Sequence, residues 1–186
     1  MPQVTFLDTQ GASMVELHEI PLERSFGPLA KPVWEFIDQG LRRGKSIDCF
    51  DYVPSNYDVV YATLAALPRG RFCEWGSGMG VITGLAAMLG FDANGIELDA
   101  RLVAASRRLL ADFGLSATIE MGDYFELPPA ADITFVYCWP GQVSRTEEHF
   151  LVTAADGARL LVYFGPEDFR CEVKRRGSTG LVAPRS

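Results

Sequence analysis

The most informative segment of the chain combines an acidic side chain with three glycines at alternate positions. Glu74 stands two places before Gly76, and Gly78 and Gly80 follow at the same spacing. A short apolar run precedes this segment, and the apolar, helix-like stretch 81–89 follows it. A strand, a glycine turn and a helix in this order bring backbone N–H groups to a ligand at the N-terminus of the helix. Glycine permits positive φ angles and removes side chains from the contact surface.

The spacing of the glycines separates two kinds of nucleotide ligand. Dinucleotide-binding turns follow the pattern G-x-G-x-x-G, but Val81 stands where that pattern requires its third glycine. The observed pattern, E-x-G-x-G-x-G, resembles the first motif of the class I S-adenosylmethionine (SAM) dependent methyltransferases. The resemblance implies SAM as cofactor, a ligand with a methionine end, a sulfonium and an adenosine. A glycine turn without a ligand is the alternative.

Glu97 ends the next predicted strand, 93–97, and follows the glycine turn at a distance typical of doubly wound sheets. Such sheets place an acidic residue about 20 positions after the turn, where it accepts hydrogen bonds from ribose hydroxyls. We therefore predict that Glu97 binds the ribose. The alternative is a solvated carboxylate at the start of the next helix, although Asp99 already occupies the N-cap position there.

The third candidate segment is Gly122-Asp123-Tyr124. In the methyltransferases that the chain resembles, an acidic residue after the third strand accepts a hydrogen bond from the adenine amine, and the next backbone N–H contacts a ring nitrogen. The resemblance places Asp123 and Tyr124 in these roles, with a simple Gly-Asp turn as the alternative. The residues predicted to bind SAM are Glu74, Gly76, Ser77, Gly78, Gly80, Glu97, Leu98, Gly122, Asp123, Tyr124 and Tyr137.

Two aromatic side chains, Tyr137 and Trp139, lie at the end of the predicted fourth strand, 132–138, where the methyl acceptor should approach. Methyltransferases that act on planar amines of bases or of glutamine carry Asn/Asp-Pro-Pro-aromatic at this point. Residues 138–141 read Cys-Trp-Pro-Gly and provide no such amide, which disfavours DNA adenine and glutamine as acceptors. The aromatic pair suits a flat substrate or a lysine ammonium held by cation–π attraction. Simple packing is the alternative.

The segment Tyr52-Val53-Pro54-Ser55 precedes a helix that we predict to start with a capping box of Ser55 and Asp58. It resembles a segment found just before the glycine motif in small, single-domain protein-lysine methyltransferases. This weaker resemblance indicates a protein nucleophile, such as lysine, or a small molecule as acceptor. It also makes Tyr52, Ser55 and Tyr57 candidates for the substrate side, with helix capping and core packing as the alternative. The catalytic residue is unknown from sequence, and its candidates are Tyr52, Tyr137 and Trp139.

Composition narrows the function classes further. The 186 residues carry a formal net charge of −7, so duplex nucleic acid is a poor partner. The four cysteines and two histidines show no metal-ligand spacing, and no metal site is predicted. The sequence has neither a signal-peptide pattern nor a run of 18 apolar residues, so we expect a cytoplasmic protein that does not enter a membrane. A SAM-binding module without turnover, acting as a sensor or partner subunit, is the alternative function.

The alternation of strands and helices from residue 71 onward predicts an α/β fold. We expect a doubly wound, mostly parallel, Rossmann-like methyltransferase sheet with helices on both faces and extra N-terminal helices. Residues 1–50 should form an N-terminal arm and helix that pack on the SAM-binding domain, 51–186, in one compact unit. At the C-terminus, residues 169–175 and a short segment at 181–183 could form the terminal hairpin of such a sheet.

Overall fold

A single β-sheet organises the chain in the computed structural model, which describes residues 5–7, 14–49, 53–127, 131–165 and 168–176. Its strands are β1 Thr5–Leu7, β2 Met14–Glu19, β3 Arg71–Trp75, β4 Asp92–Glu97, β5 Thr118–Met121, β6 Ile133–Tyr137, β7 Arg159–Gly165 and β8 Asp168–Arg176. The helices are α1 Lys31–Gly44, α2 Tyr57–Ala65, α3 Val81–Met88, α4 Ala100–Asp112 and α5 Val143–Thr153. The eight strands lie in the order β1-β2-β8-β7-β6-β3-β4-β5.

The centre of the sheet is parallel and doubly wound. From β3 the chain runs outward through β4 to β5, and each new strand pairs parallel with the one before. It then returns to the other side of β3, where β6 pairs parallel with β3 and β7 parallel with β6. The order of the strands therefore reverses between β3 and β6. This topology confirms the predicted fold class.

The part of the sheet beyond β7 is antiparallel, and the N-terminal part of the chain supplies two of its strands. β8 pairs antiparallel with β7, β2 with β8, and β1 with β2. The predicted strand 169–175 is thus present as β8, but its second neighbour is β2. The position that we assigned to residues 181–183 is therefore taken by an N-terminal strand, and residues 181–183 themselves lie outside the described residues.

Helices cover both faces of the sheet. Helices α1 to α4 pack on one face around a core that includes Phe36, Leu85 and Leu109, whereas α5 packs on the other face through Phe150 and Leu151. The two N-terminal helices, α1 and α2, are the extra helices expected from sequence. In the described residues between β5 and β6, no helix crosses the second face.

The start of α2 differs from the prediction. Asn56, rather than Ser55, is the N-cap, and its Oδ1 accepts a hydrogen bond from the N–H of Val59 at 3.5 Å. The predicted capping box is therefore wrong, because the helix begins one residue later than the pattern implied. The predicted cap of α4 is confirmed, since Asp99 Oδ1 accepts from Arg101 N at 2.8 Å.

Three further observations concern the described residues as a whole. No helix in these ranges has the length and apolar character needed to cross a bilayer. The cysteines are unpaired thiols, and Cys73 and Cys138 are buried, as their positions in predicted strands implied. No group of three or more His, Cys, Asp or Glu side chains in the described part of the chain is arranged to hold a metal ion.

Candidate cofactor and acceptor site

The glycine turn lies between the end of β3 and the start of α3. Gly76, Gly78 and Gly80 have φ angles of 73°, 53° and 68°, a region that side chains with a Cβ rarely adopt. The N–H groups of Gly76 and Ser77 both donate to the carbonyl of Ile96 at 2.9 Å, which fixes the turn against β4. Three alternate glycines therefore meet a backbone requirement, as the motif predicted.

Glu97 connects the three predicted cofactor segments. Its Oε2 accepts from Gly78 N at 2.7 Å and its Oε1 from Asp99 N at 2.8 Å. Its backbone carbonyl accepts from Gly122 N at 3.0 Å. Because a carboxylate oxygen can accept more than one hydrogen bond, both oxygens keep lone pairs for a ligand.

Glu74 is buried and holds the start of α3. Its Oε2 accepts hydrogen bonds from Thr83 N at 2.8 Å and from Thr83 Oγ1 at 2.6 Å. Burial, with a smaller contribution from nearby Glu97, raises the pKa of Glu74 to about 8 against the lowering effect of the Thr83 hydrogen bonds. The motif glutamate therefore joins β3 to the first turn of α3. Sequence reasoning missed Thr83, whose only signal is a hydroxyl in the turn that follows the third glycine.

A cavity of about 190 Å³ opens beside the glycine turn, at the carboxyl ends of β3 and β6. Seven of the residues predicted to bind the cofactor or to act in catalysis line it: Glu74, Gly76, Ser77, Gly78, Glu97, Tyr137 and Trp139. The substrate-side candidates Ser55 and Tyr57 line it too. Sequence reasoning missed Cys49 and Phe135 in the lining, because neither belongs to a motif. The structure thus brings the cofactor side and the acceptor side of the prediction to one cavity.

Other predicted residues do not line this cavity. Gly80 caps α3, and a Cβ there would lie 3.0 Å from the Cβ of Ser106. Leu98 is 70% exposed beside Glu97. Gly122 contacts Glu97 through its N–H, and Asp123 Oδ1 accepts from Phe125 N at 2.9 Å.

The ring of Tyr124 is directed to the opposite face of the sheet. It stacks on Trp75, with ring centroids 5.1 Å apart and an interplanar angle of 8°. Only its backbone is therefore left for the predicted contact with adenine. Tyr52, the remaining candidate, lies outside the described residues.

The side of the cavity at which we predicted the methyl acceptor is aromatic. The rings of Tyr137 and Trp139 stack with centroids 6.0 Å apart, and Tyr163 packs against Tyr137 at 5.1 Å. The hydroxyl of Tyr163 accepts from Asn56 N at 2.9 Å, which holds the segment before α2 against β7. This bond places Ser55 and Tyr57 opposite the end of β6.

Comparisons with known proteins bear on the fold. No protein-family model matches the chain, and no curated protein matches it. Among solved structures, a candidate O-methyltransferase from Klebsiella pneumoniae superposes with a TM-score of 0.56 at 19% identity, over 73% of this chain and 66% of that one. A methyltransferase from Geobacter sulfurreducens gives 0.55 at 23% identity, over 73% and 74%. The O-methyltransferase TomG from Streptomyces achromogenes, solved with SAM, gives 0.55 at 16% identity, over 69% and 64%.

These likenesses establish the fold. The chain has the fold of the class I SAM-dependent methyltransferases, as the glycine motif indicated. It spans slightly less than two thirds of the Klebsiella and Streptomyces proteins, so about a third of each of those proteins has no counterpart here. Activity, cofactor and acceptor follow from the site and not from the superposition.

Proposed function

We propose that this protein is a SAM-dependent methyltransferase that acts on a nucleophile of a protein, such as a lysine amine, or of a small molecule. One observation carries the proposal. The carboxylate of Glu97 lies 2.7 Å from Gly78 N, and both residues line one cavity at the carboxyl ends of parallel strands. Doubly wound sheets bind their ligands there, close to the point where the strand order reverses.

The adenosine half of SAM fits Glu97, on the β4 side of the cavity, and the surface next to it that Leu98 and Asp123 form outside the cavity lining. Glu97 would accept hydrogen bonds from the ribose hydroxyls through the lone pairs that Gly78 and Asp99 do not use. Exposed Leu98 offers apolar surface to the adenine ring. Asp123, two residues after β5, would accept from the adenine amine, as the motif resemblance implies.

The methionine half fits the glycine turn. A Cβ at Gly76 would meet no atom within 4 Å, so the backbone there faces open space. Ser77 lines the cavity and is only 4% exposed, yet its Oγ has no hydrogen-bond partner among the described residues. A buried hydroxyl without a partner is unfavourable. This oxygen is enclosed, but a turn of the Ser77 side chain about χ1 toward the cavity would let the ammonium or carboxylate of a bound methionine end satisfy it.

The acceptor side favours a neutral or cationic group. Its aromatic surface comes from Tyr57, Phe135, Tyr137 and Trp139. No Lys or Arg is among the described residues that line the cavity, so no cationic side chain among them would stabilise an acceptor carboxylate or phosphate. An amine or a neutral hydroxyl therefore suits this side better than an anion.

The reaction places few demands on the protein beyond orientation. SAM, when bound, supplies a methyl group made electrophilic by the sulfonium. The walls formed by Tyr137 and Trp139 would exclude water and orient the acceptor, and orientation of this kind can supply about 7–11 kcal/mol of the barrier. A proton acceptor is required only for a nucleophile that arrives protonated, as a lysine amine does at neutral pH.

Cofactor binding is the first test. Isothermal titration with S-adenosylhomocysteine, the demethylated product, should show saturable binding to the wild type. Glu97→Ala should weaken it by ~1–3 kcal/mol, because charge-assisted hydrogen bonds to the ribose are lost. Glu120→Ala removes an exposed carboxylate of β5 outside the cavity lining and is the matched control. Equal affinities for all three proteins would contradict the placement of adenosine.

Methyl transfer is the second test. A lysate incubated with the protein and tritiated SAM is separated into protein, nucleic-acid and small-molecule fractions. We expect label in the protein or the small-molecule fraction, and less label at the same SAM concentration with Glu97→Ala. Label in nucleic acid would contradict the assigned acceptor class. Binding without any transfer would indicate a SAM-binding module.

A further inference from the structure

Behind the glycine turn, on the sheet face opposite the cavity, five side chains form what we call the rear cluster: Trp75, Tyr124, Phe125, Arg145 and His149. The His149 ring lies 5.1 Å from both the Trp75 ring and the Phe125 ring. The guanidinium carbon of Arg145 lies 3.8 Å from the centre of the Phe125 ring. Arg145 and His149 are four residues apart in α5, so one face of this helix meets the loop that follows β5.

The peptide group between Tyr124 and Phe125 is held from both sides. Nε2 of His149 lies 2.9 Å from the carbonyl oxygen of Tyr124. A carbonyl oxygen can only accept, so Nε2 must carry a proton and donate. The N–H of the same peptide group belongs to Phe125 and donates to Asp123 Oδ1 at 2.9 Å. His149 and the carboxylate of Asp123 are therefore joined through a single peptide plane.

This connection links α5 to the carboxylate that we assign to adenine. If the peptide plane turns, the N–H of Phe125 leaves Oδ1, and the Asp123 side chain loses its fixed rotamer. The stack of Tyr124 on Trp75 also connects the loop after β5 to the glycine turn, because Trp75 directly precedes Gly76. The rear cluster thus fixes the loop 122–127, which follows β5, relative to the glycine turn without touching the cavity.

We propose that His149 is a positioning residue for adenine recognition, which it supports by orienting the Tyr124–Phe125 peptide and thereby the Asp123 carboxylate. This inference rests on the proposed function. It concerns selectivity for the base and not affinity in general. Nε2 donates in the imidazolium and in the neutral Nε2–H tautomer alike, so the bond does not depend on which of the two is present.

The test compares two ligands that differ at one group. The purine analogue of S-adenosylhomocysteine carries hydrogen in place of the adenine 6-amine, so it has no donor for Asp123 and keeps the ring nitrogen N1 as an acceptor. Calorimetry on the wild type should give a dissociation constant roughly tenfold higher for the purine ligand. His149→Leu should lower this ratio roughly threefold, because a loosely held carboxylate discriminates less. His149→Gln, whose amide nitrogen can take the place of Nε2, should restore the ratio.

Two controls separate selectivity from stability. Leu151→Val alters buried packing in α5, costs about 1 kcal/mol of stability and should leave the ratio at its wild-type value. If His149→Leu does not fold, His149→Asn replaces it, since the shorter amide puts no donor at the Nε2 position.

The outcomes distinguish the two proposals. A ratio unchanged in His149→Leu, or in His149→Asn where that variant replaces it, would overturn the role of His149 while cofactor binding stands. A wild type that binds neither ligand would instead overturn the proposed function.

Discussion

The Glu97 carboxylate, fixed by Asp99 N, accepts a hydrogen bond from Gly78 N and so holds the glycine turn in place before any ligand arrives. Gly78 N and Asp99 N approach opposite oxygens of this side chain, at 2.7 and 2.8 Å. The backbone N–H groups of the turn are therefore ordered in advance. A site organised in this way loses less conformational entropy when a ligand binds, so more of the interaction energy appears as affinity.

Ser77→Ala should separate stability from binding. The free energy of unfolding without ligand should rise or stay constant, because a buried hydroxyl with no partner among the described residues is removed. Affinity for S-adenosylhomocysteine should fall by ~1 kcal/mol, because that hydroxyl is assigned to the ligand. Denaturant titration and calorimetry measure the two effects.

Ser106→Ala is the control for this pair of effects. Ser106 is also buried, but its Oγ donates to Val103 O at 3.0 Å, so its loss should lower stability and leave affinity unchanged. A Ser77→Ala variant that is less stable and binds as tightly as the wild type would contradict the assignment of Ser77.

Glu74 should make stability depend on pH. Its pKa is about 8 when folded and about 4.5 when exposed, because burial disfavours the charged form. Between these values the folded state holds a proton that the unfolded state releases, so the free energy of unfolding decreases as pH rises from about 5 to about 8. Glu172, whose pKa is raised to about 7 by burial, acts in the same direction.

Glu74→Gln should remove its share of this slope, since a neutral amide keeps an acceptor for Thr83 and does not titrate. Denaturant titrations at several pH values between 5 and 8 measure the slope. Glu120→Gln, at an exposed position, should leave it unchanged. Identical slopes for the wild type and Glu74→Gln would show that the folded protein does not keep this carboxyl protonated.

Strand β2 extends the sheet beyond β8. It pairs with β8 over five residues, from Val15 with Arg176 to Glu19 with Glu172. Val15 and Leu17 are buried against the core that α5 covers. The N-terminal strand thereby protects an edge of β8 that would otherwise present unpaired backbone groups.

Leu17→Ala should therefore destabilise the protein by about 2–5 kcal/mol, the usual cost of emptying a buried leucine site. Met14→Ala, at an exposed position of the same strand, should change stability by less than about 0.5 kcal/mol. Denaturant titration of both variants tests the point. A small effect of Leu17→Ala would mean that β2 contributes little to the folded state.

For the molecule as a whole, the ligand should bind only to the folded state. Ligand at 100 times its dissociation constant then stabilises the fold by about 2.7 kcal/mol. S-adenosylhomocysteine should accordingly raise the melting temperature, whereas NAD should not, because Val81 replaces the third glycine of the dinucleotide pattern. Thermal denaturation with each ligand decides between them, and a larger shift with NAD would indicate an oxidoreductase.

Most predictions about the fold and the site rest on local sequence patterns. The glycine spacing, Glu97 at the end of a strand and the Asp99 cap depend on neighbours within a few residues, so periodicity and turn chemistry identify them. The N-cap of α2 shows that local patterns alone do not decide which of two neighbouring residues begins a helix. Ser55 and Asn56 are both good N-caps, and only packing decides between them, since Tyr163 OH binds Asn56 N from a distant strand.

The amino-acid sequence by itself determined the α/β class, the glycine turn and the succession of strands and helices along the chain from residue 71, because each follows from short-range residue chemistry. Only the tertiary structure decided that β2 lies beside β8, that Thr83 holds Glu74 and that His149 reaches Tyr124. The physical reason is sequence separation. Strand pairing uses backbone groups that every residue carries, so the partner of an edge strand is selected by the packing of the whole core and not by a motif.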